Sequence, residues 1–95
     1  MPSARGLVTD TSLATLREVD LAANRGKGSA FRAFKSLAGQ LVEGEHFHCC
    51  DSRADADGFA LILASGRLYP GTVNAVFLTS EAQRLVRARM DTAAN

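Results

Sequence analysis

The sequence predicts a small α+β domain, a helix-turn-helix followed by a β-hairpin on a winged-helix-like plan. Three observations predict it. Apolar residues recur at helical spacing in two short runs, Leu16, Val19, Ala23 and then Phe31, Phe34, Leu37, Ala38, Leu41, with Gly26 and Gly28 between them. Beyond Gly44 the chain turns to short, strand-like segments separated by turn residues, Pro70-Gly71-Thr72 among them. Cations gather on the second helical run, where Arg25, Lys27, Arg32 and Lys35 fall in a stretch without any acid between Asp20 and Glu43.

Length and composition bound the rest. A chain of 95 residues supports one compact domain, here residues 13–90, with a flexible arm over 1–12 and a tail over 91–95. A hydrophobic fraction of 46% and a charged fraction of 22% are those of a globular protein. The net charge of +1 is close to neutral, so the distribution of charge carries the information rather than its sum. Residues 43–57 hold Glu43, Glu45, Asp51, Asp55 and Asp57 against Arg53, which sets an acidic edge opposite the basic stretch. No apolar run is long enough to span a membrane, and MPSARGLV lacks the apolar core of a signal peptide, so a cytoplasmic location is expected. The adjacent Cys49 and Cys50 read as reduced thiols, because neighbouring cysteines bridge only with strain.

Element by element, Thr15 is placed to cap a first helix from about Leu16 to Asn24, with Glu18 completing a capping box. A second helix is predicted from about Ser29 to Ala38, ended by Gly39. Its inner stripe is Phe31, Phe34, Leu37, Ala38 and Leu41; its outer face carries Ser29, Arg32, Ala33, Ser36 and Gln40. EHFHCC reads as a strand. Ser52 and Asp55 announce a third helix ending near Gly66, although the run Phe59 to Leu63 also fits a buried strand. Arg67–Tyr69 and Asn74–Thr79 read as the two arms of a hairpin, and Ser80 begins the last helix with Gln83 in a second capping box.

The motifs favour binding over catalysis. RGKGS looks like a phosphate cradle, since glycine admits close backbone approach and a helix start attracts anions, but the Walker spacing is absent. Backbone amides of Gly28 and Ser29 would instead meet a nucleic-acid phosphate. His46, His48 and Cys50 share one face of the EHFHCC strand, yet no second ligand pair stands elsewhere, so no metal is expected. A Cys–His nucleophile is disfavoured because strand neighbours seldom reach catalytic geometry. The acids of 43–57 read as a solvated face, with no catalytic residue and no cofactor expected, and the chain is not expected to be an enzyme. No aromatic platform for single-stranded bases is visible.

LREVDLA, the Gly-rich basic turn, FRAFKSL, LVEGEHF and NAVFLTSEAQRLV together resemble the amino-terminal DNA-binding domains of phage antirepressors, those related to the KilA amino-terminal type. The resemblance covers roughly residues 13–90. It departs at His46, where an Asp is usual in the "E-G-x-D-F"-like strand, and near Gln83, where a Gly is usual. It implies a small α/β DNA-binding module of a phage or prophage regulator; members often carry a second, C-terminal effector domain.

The expected function is therefore a homodimeric DNA-binding transcriptional regulator with its basic helix in the major groove of double-stranded DNA. Arg25, Lys27, Gly28 and Ser29 would anchor phosphates. Arg32, Lys35 and Ser36 would face the groove, with Arg32 reading a guanine edge, and Arg67 would serve the hairpin wing. The alternative is a protein-interaction module, antirepressor-like, that inhibits a host or phage protein through the acidic 43–57 segment or the apolar hairpin. The near-neutral net charge favours that alternative.

Overall fold

The computed structural model describes residues 4–93 and is a small α+β domain. Its elements are α1 (Ala4–Thr9), β1 (Ala14–Thr15), α2 (Leu16–Ala22), α3 (Ser29–Ser36), β2 (Phe47–Asp51), α4 (Ala56–Ala64), β3 (Asn74–Leu78) and α5 (Ser80–Ala93). The strands form one antiparallel sheet in the order β1-β3-β2, with Thr15 opposite Phe77 and His48 opposite Phe77 from the other side.

This sheet divides the core. Successive strand side chains point to opposite faces, and β3 uses both. Ala75 and Phe77 join Leu7, Leu13, Cys50, Phe59, Ile62 and Leu68 under α1 and α4. Leu78 and the half-buried Val76 join Val19, Ala30, Ala33, Leu41, Ala82, Val86 and Met90 under α2, α3 and α5. On β2, Cys50 is the buried cysteine; Cys49 is half-buried, and Phe47 packs edge-on against Phe34 at 5.0 Å.

Local signals place several elements where they were expected. Thr15 and Glu18 form both bonds of the capping box, and Asp55 Oδ1 accepts from the Gly58 amide at the start of α4, which settles the Phe59–Leu63 run as helix. Asn24, at φ 56°, ends α2 in the left-handed region. The Asn24 and Arg25 amides donate back to the Leu21 and Asp20 carbonyls, a Schellman closure.

Five expectations are corrected. The arm expected over 1–12 contains α1, whose Leu7 is 3% exposed in the core; residues 1–3 lie outside the described residues. The tail expected over 91–95 begins inside α5, which runs to Ala93. Arg67–Tyr69 is not a strand, and β3 pairs with β1 and β2 instead of closing a local hairpin. Side chains of the α2 region occupy the carbonyls that a ladder would need: Thr15 Oγ1 donates to Arg67 O, and the Arg17 guanidinium to Gly66 O and Leu68 O. The capping-box role of Gln83 fails because its amide donates to Ser12 O and Leu78 O, while Thr79 caps α5 through its Oγ1 and carbonyl. The inner stripe of α3 is Ala30 and Ala33 with Phe34 and Leu37 beside them; Phe31 points outward at 48% exposure.

The ends of β2 are tied down locally. Gly44, at φ 95°, turns the chain so that its amide donates to Phe47 O at 2.7 Å, and Ala54 and Asp55 amides donate to Asp51 O. Among the described residues no helix is long and apolar enough to cross a membrane.

Candidate nucleic-acid interface

Asp20 builds the connection between α2 and α3. Its carboxyl is fully buried. Oδ2 accepts from the Gly28 amide at 3.1 Å and from the Tyr69 hydroxyl at 2.6 Å; Oδ1 accepts from the Ala30 amide at 2.7 Å. Buried carboxyls are tolerated when their lone pairs are filled this way. The aspartate thereby closes the first turn of α3 and pins the 69–74 loop to the same point. Burial, followed by the bond to Asp20, pushes the Tyr69 hydroxyl up to about 12.

The outer face of α3 is what this frame presents. Helical spacing puts Phe31, Arg32 and Lys35 on the side opposite Ala30 and Ala33, and all three are exposed. Arg32 makes no ion pair or side-chain hydrogen bond among the described residues. Lys35 Nζ lies 5.5 Å from the Phe31 ring centre, and Lys27 Nζ lies 5.3 Å from that of Tyr69, which Arg17 also approaches at 5.7 Å. Arg25 meets Asp91 of α5 at 3.6 Å, an exposed pair worth little in water. The Ser36 hydroxyl donates to Ala33 O at 2.7 Å and accepts from Arg89 Nε at 3.0 Å.

Two grooves flank α3. One, of about 380 Å³, lies against α5 and is lined by Arg25, Ser29, Arg32, Ser36 and Arg89 over a floor of Ala33 and Met90. The other, of about 590 Å³, lies against the 69–74 loop; Phe31, Phe34, Val76, Tyr69, Pro70 and Val73 give it an apolar wall.

The expected site residues separate accordingly. Arg25, Ser29, Arg32 and Ser36 come together on the α5 side. Lys27 and Gly28 lie on the other side, and Lys35 stands between them on the crest. The backbone phosphate cradle expected at Gly28 and Ser29 is already filled from within: the Gly28 amide is bonded to Asp20 and the Ser29 amide to Gly26 O. Gly28 instead serves as the α3 cap at φ 92°, where an added Cβ would stand 3.2 Å from the Arg32 guanidinium. Arg67 does not reach outward to a wing. Its Nε and NH2 bind the Glu18 carboxylate, NH1 donates to Leu7 O and Val8 O, and NH2 to Leu13 O, with the side chain 15% exposed. Burial acts to raise the Glu18 carboxyl, but the bonds from Arg67 and Thr15 outweigh it and hold it below its ordinary value.

Arg89, Asp20, Tyr69 and the outward Phe31 escaped the sequence reading. Asp20 is the last acid before the acid-free stretch, a faint signal of a cap for the following helix; Arg89 sits in an arginine-rich helix where nothing local distinguishes it from Arg84 or Arg87. His46 Nδ1 accepts from the Val42 amide, and among the described residues no three His, Cys, Asp or Glu side chains converge as a metal site. Burial raises both thiols, Cys49 and Cys50, so they stay protonated at neutral pH. No family model matches this chain, and searches of curated proteins and of solved structures find no match.

Proposed function

We propose that this chain is a double-stranded-DNA-binding module that presents α3 to the major groove, as a phage- or prophage-type transcriptional regulator would. The observation that carries the reading is the acid-free cationic face of α3. Arg32 and Lys35 project outward, Arg25 and Lys27 flank them, and Asp20, the acid that precedes this stretch, is turned inward and buried. Helix-turn-helix proteins enter the groove with the second helix of such a pair, and phosphate contacts from its flanks set the register. Support for the winged-helix reading comes from the antiparallel β2–β3 pair, joined through α4 rather than by a hairpin turn, and from the 69–74 loop, which lines a groove with α3; Val73 and Pro70 are exposed on that loop, whereas Arg67 is turned inward. The resemblance to phage antirepressor amino-terminal domains agrees with this reading. A homodimer would set two α3 helices about one duplex turn apart.

The test is fluorescence anisotropy with a labelled duplex from around the chain's own gene, against random duplex, at two salt concentrations. Counterion release predicts affinity that falls steeply with salt. Absence of binding to either duplex at low salt would defeat the proposal.

A second reading, a module that docks on another protein, draws on one observation. Phe31 at 48% and Val73 at 69% exposure border the apolar 590 Å³ groove, and exposed apolar patches of this kind mark interaction surfaces. Salt-insensitive binding to a protein, without DNA binding, would favour it.

A further inference from the structure

We infer that the groove between α3 and α5 is a phosphate-binding site in which Arg89 is a principal ligand. The inference deepens the DNA-binding reading but does not depend on it, because the same chemistry suits a duplex backbone phosphate or the phosphates of a small molecule.

Three arginines line one groove of about 380 Å³: Arg25 from the turn before α3, Arg32 from α3 and Arg89 from α5. Like charges drawn from three places in the chain repel unless an anion joins them. Asp91 lies at 3.6 Å from Arg25 and is itself largely exposed, so it offsets part of one charge. Arg32 has no partner among the described residues.

Arg89 is held ready. The Ser36 hydroxyl gives its proton to Ala33 O and accepts from Arg89 Nε, which fixes the guanidinium plane by one edge. NH1 and NH2 of Arg89 have no protein acceptor among the described residues. A planar fork with its terminal nitrogens open is the geometry that binds two phosphate oxygens at once. Ser29 lines the same groove, and its hydroxyl has no hydrogen-bond partner among the described residues. Ala33 and Met90, both nearly fully buried, make an apolar floor that keeps water from beneath the anion and strengthens each charged bond. Arg87, two residues before Arg89 and so on the opposite side of α5, lines a different hollow beside Glu18 and Gln83.

The experiment is calorimetric titration of the full chain with inorganic pyrophosphate in phosphate-free, low-salt buffer, beside anisotropy titration with a DNA duplex. Wild type, Arg89→Gln, Ser36→Ala and Arg87→Gln are compared, with thermal unfolding as the check that each variant folds. Arg89→Gln is expected to weaken binding about tenfold, the effect of losing charge-assisted bonds to an anion. Ser36→Ala, which keeps the charge but frees the guanidinium, is expected to weaken it by a smaller factor, and Arg87→Gln to leave it unchanged. Weakening of both ligands, with pyrophosphate displacing duplex, assigns the site to a DNA phosphate. Weakening of pyrophosphate alone assigns it to a free phosphorylated compound. If Arg89→Gln changes neither ligand, or Arg87→Gln matches its loss, the inference is overturned. Duplex binding that survives Arg89→Gln unchanged would then leave the DNA reading standing, whereas a wild type that binds neither ligand removes both.

Discussion

Arg67 and Arg32 each follow a glycine-containing turn and are both cationic residues expected at a DNA surface, yet the fold treats them in opposite ways. Arg67 is enclosed by the Glu18 carboxylate and three backbone carbonyls, and its guanidinium lies 5.3 Å from the Phe77 ring centre. Arg32 projects from the outer face of α3 on its α5 side and has no side-chain partner among the described residues. The difference lies in what surrounds them. The turn after α1 and the start of α2 offer carbonyls that no helix or sheet satisfies, and a guanidinium with five donors answers several at once. The outer face of α3 offers none, because its carbonyls are used within the helix. A cation that ties the chain together and a cation left for a ligand are thus distinguished by unsatisfied backbone nearby, not by local sequence.

The largest expected effect tests the enclosed side. Arg67→Ala should lower unfolding free energy by about 3 kcal/mol, since it removes the cation paired with Glu18, leaving that carboxylate only the Thr15 capping-box bond, and takes a charged donor from the Leu7, Val8 and Leu13 carbonyls. In a domain of this size that is a fall in Tm on the order of 10–20 °C, and a fall under a few degrees would break the comparison. Asp20→Ala should cost about 2–3 kcal/mol by orphaning the Gly28 and Ala30 amides and the Tyr69 hydroxyl. Urea unfolding reads it, and duplex binding should drop as well because α3 loses its fixed start. On the open side, Arg32→Ala should change stability by less than about 0.5 kcal/mol. It should also weaken specific DNA binding by about 1–3 kcal/mol and relax one base position. Equal loss on random DNA would reduce Arg32 to a phosphate contact.

The smallest effects are pH-dependent. Glu18 is held below its ordinary value of 4.5, so its contribution is present above that pH and fades as pH falls further; it should be under about 1 kcal/mol, given its partial exposure. Glu18→Gln should flatten that acid limb. Tyr69, raised from 10 to about 12, acts in the other direction: its contribution is present below pH 10 and is lost as pH rises toward 12. Thermal unfolding of Tyr69→Phe across that range should show a shallower alkaline decline than wild type.

These contrasts also mark what was legible in the chain. α2, α3, α4 and β2 were readable because short-range signals define them: Thr15 with Glu18, the Gly26–Gly28 turn, Asp55 as a cap, and apolar residues near Phe47 to Cys50. β3 was readable as a strand, but its partners were not, since β1 lies some sixty residues away in sequence and a hairpin with Arg67–Tyr69 fits the same local pattern. α1 hides because it offers little beyond Leu7 and Val8 for the core. On α3, the periodicity of the phenylalanines masked the alanines: small Ala30 and Ala33 let the helix approach α2 and α5 closely, and that approach turns Phe31 to solvent. The cationic residues of the candidate site were legible as a cluster. Their division between two grooves, and the part of Arg89, follow from α5 packing on α3, which no local pattern encodes.

The local ties at the two ends of β2 have a consequence for how copies of this chain can meet. Because His46 O and the Ser52 amide bond toward β3 and the Thr79–Val73 stretch, Phe47, Cys49 and Asp51 turn their backbone groups to the open side of the sheet. Of those three outward carbonyls, the first and last already accept from Gly44 and from Ala54. A second chain seeking to add a strand along this edge finds the Cys49 carbonyl as the remaining outward acceptor, too short a foothold for a continuous ladder. Strand addition along β2 is therefore disfavoured, because a second copy approaching this edge finds few outward acceptors to bond.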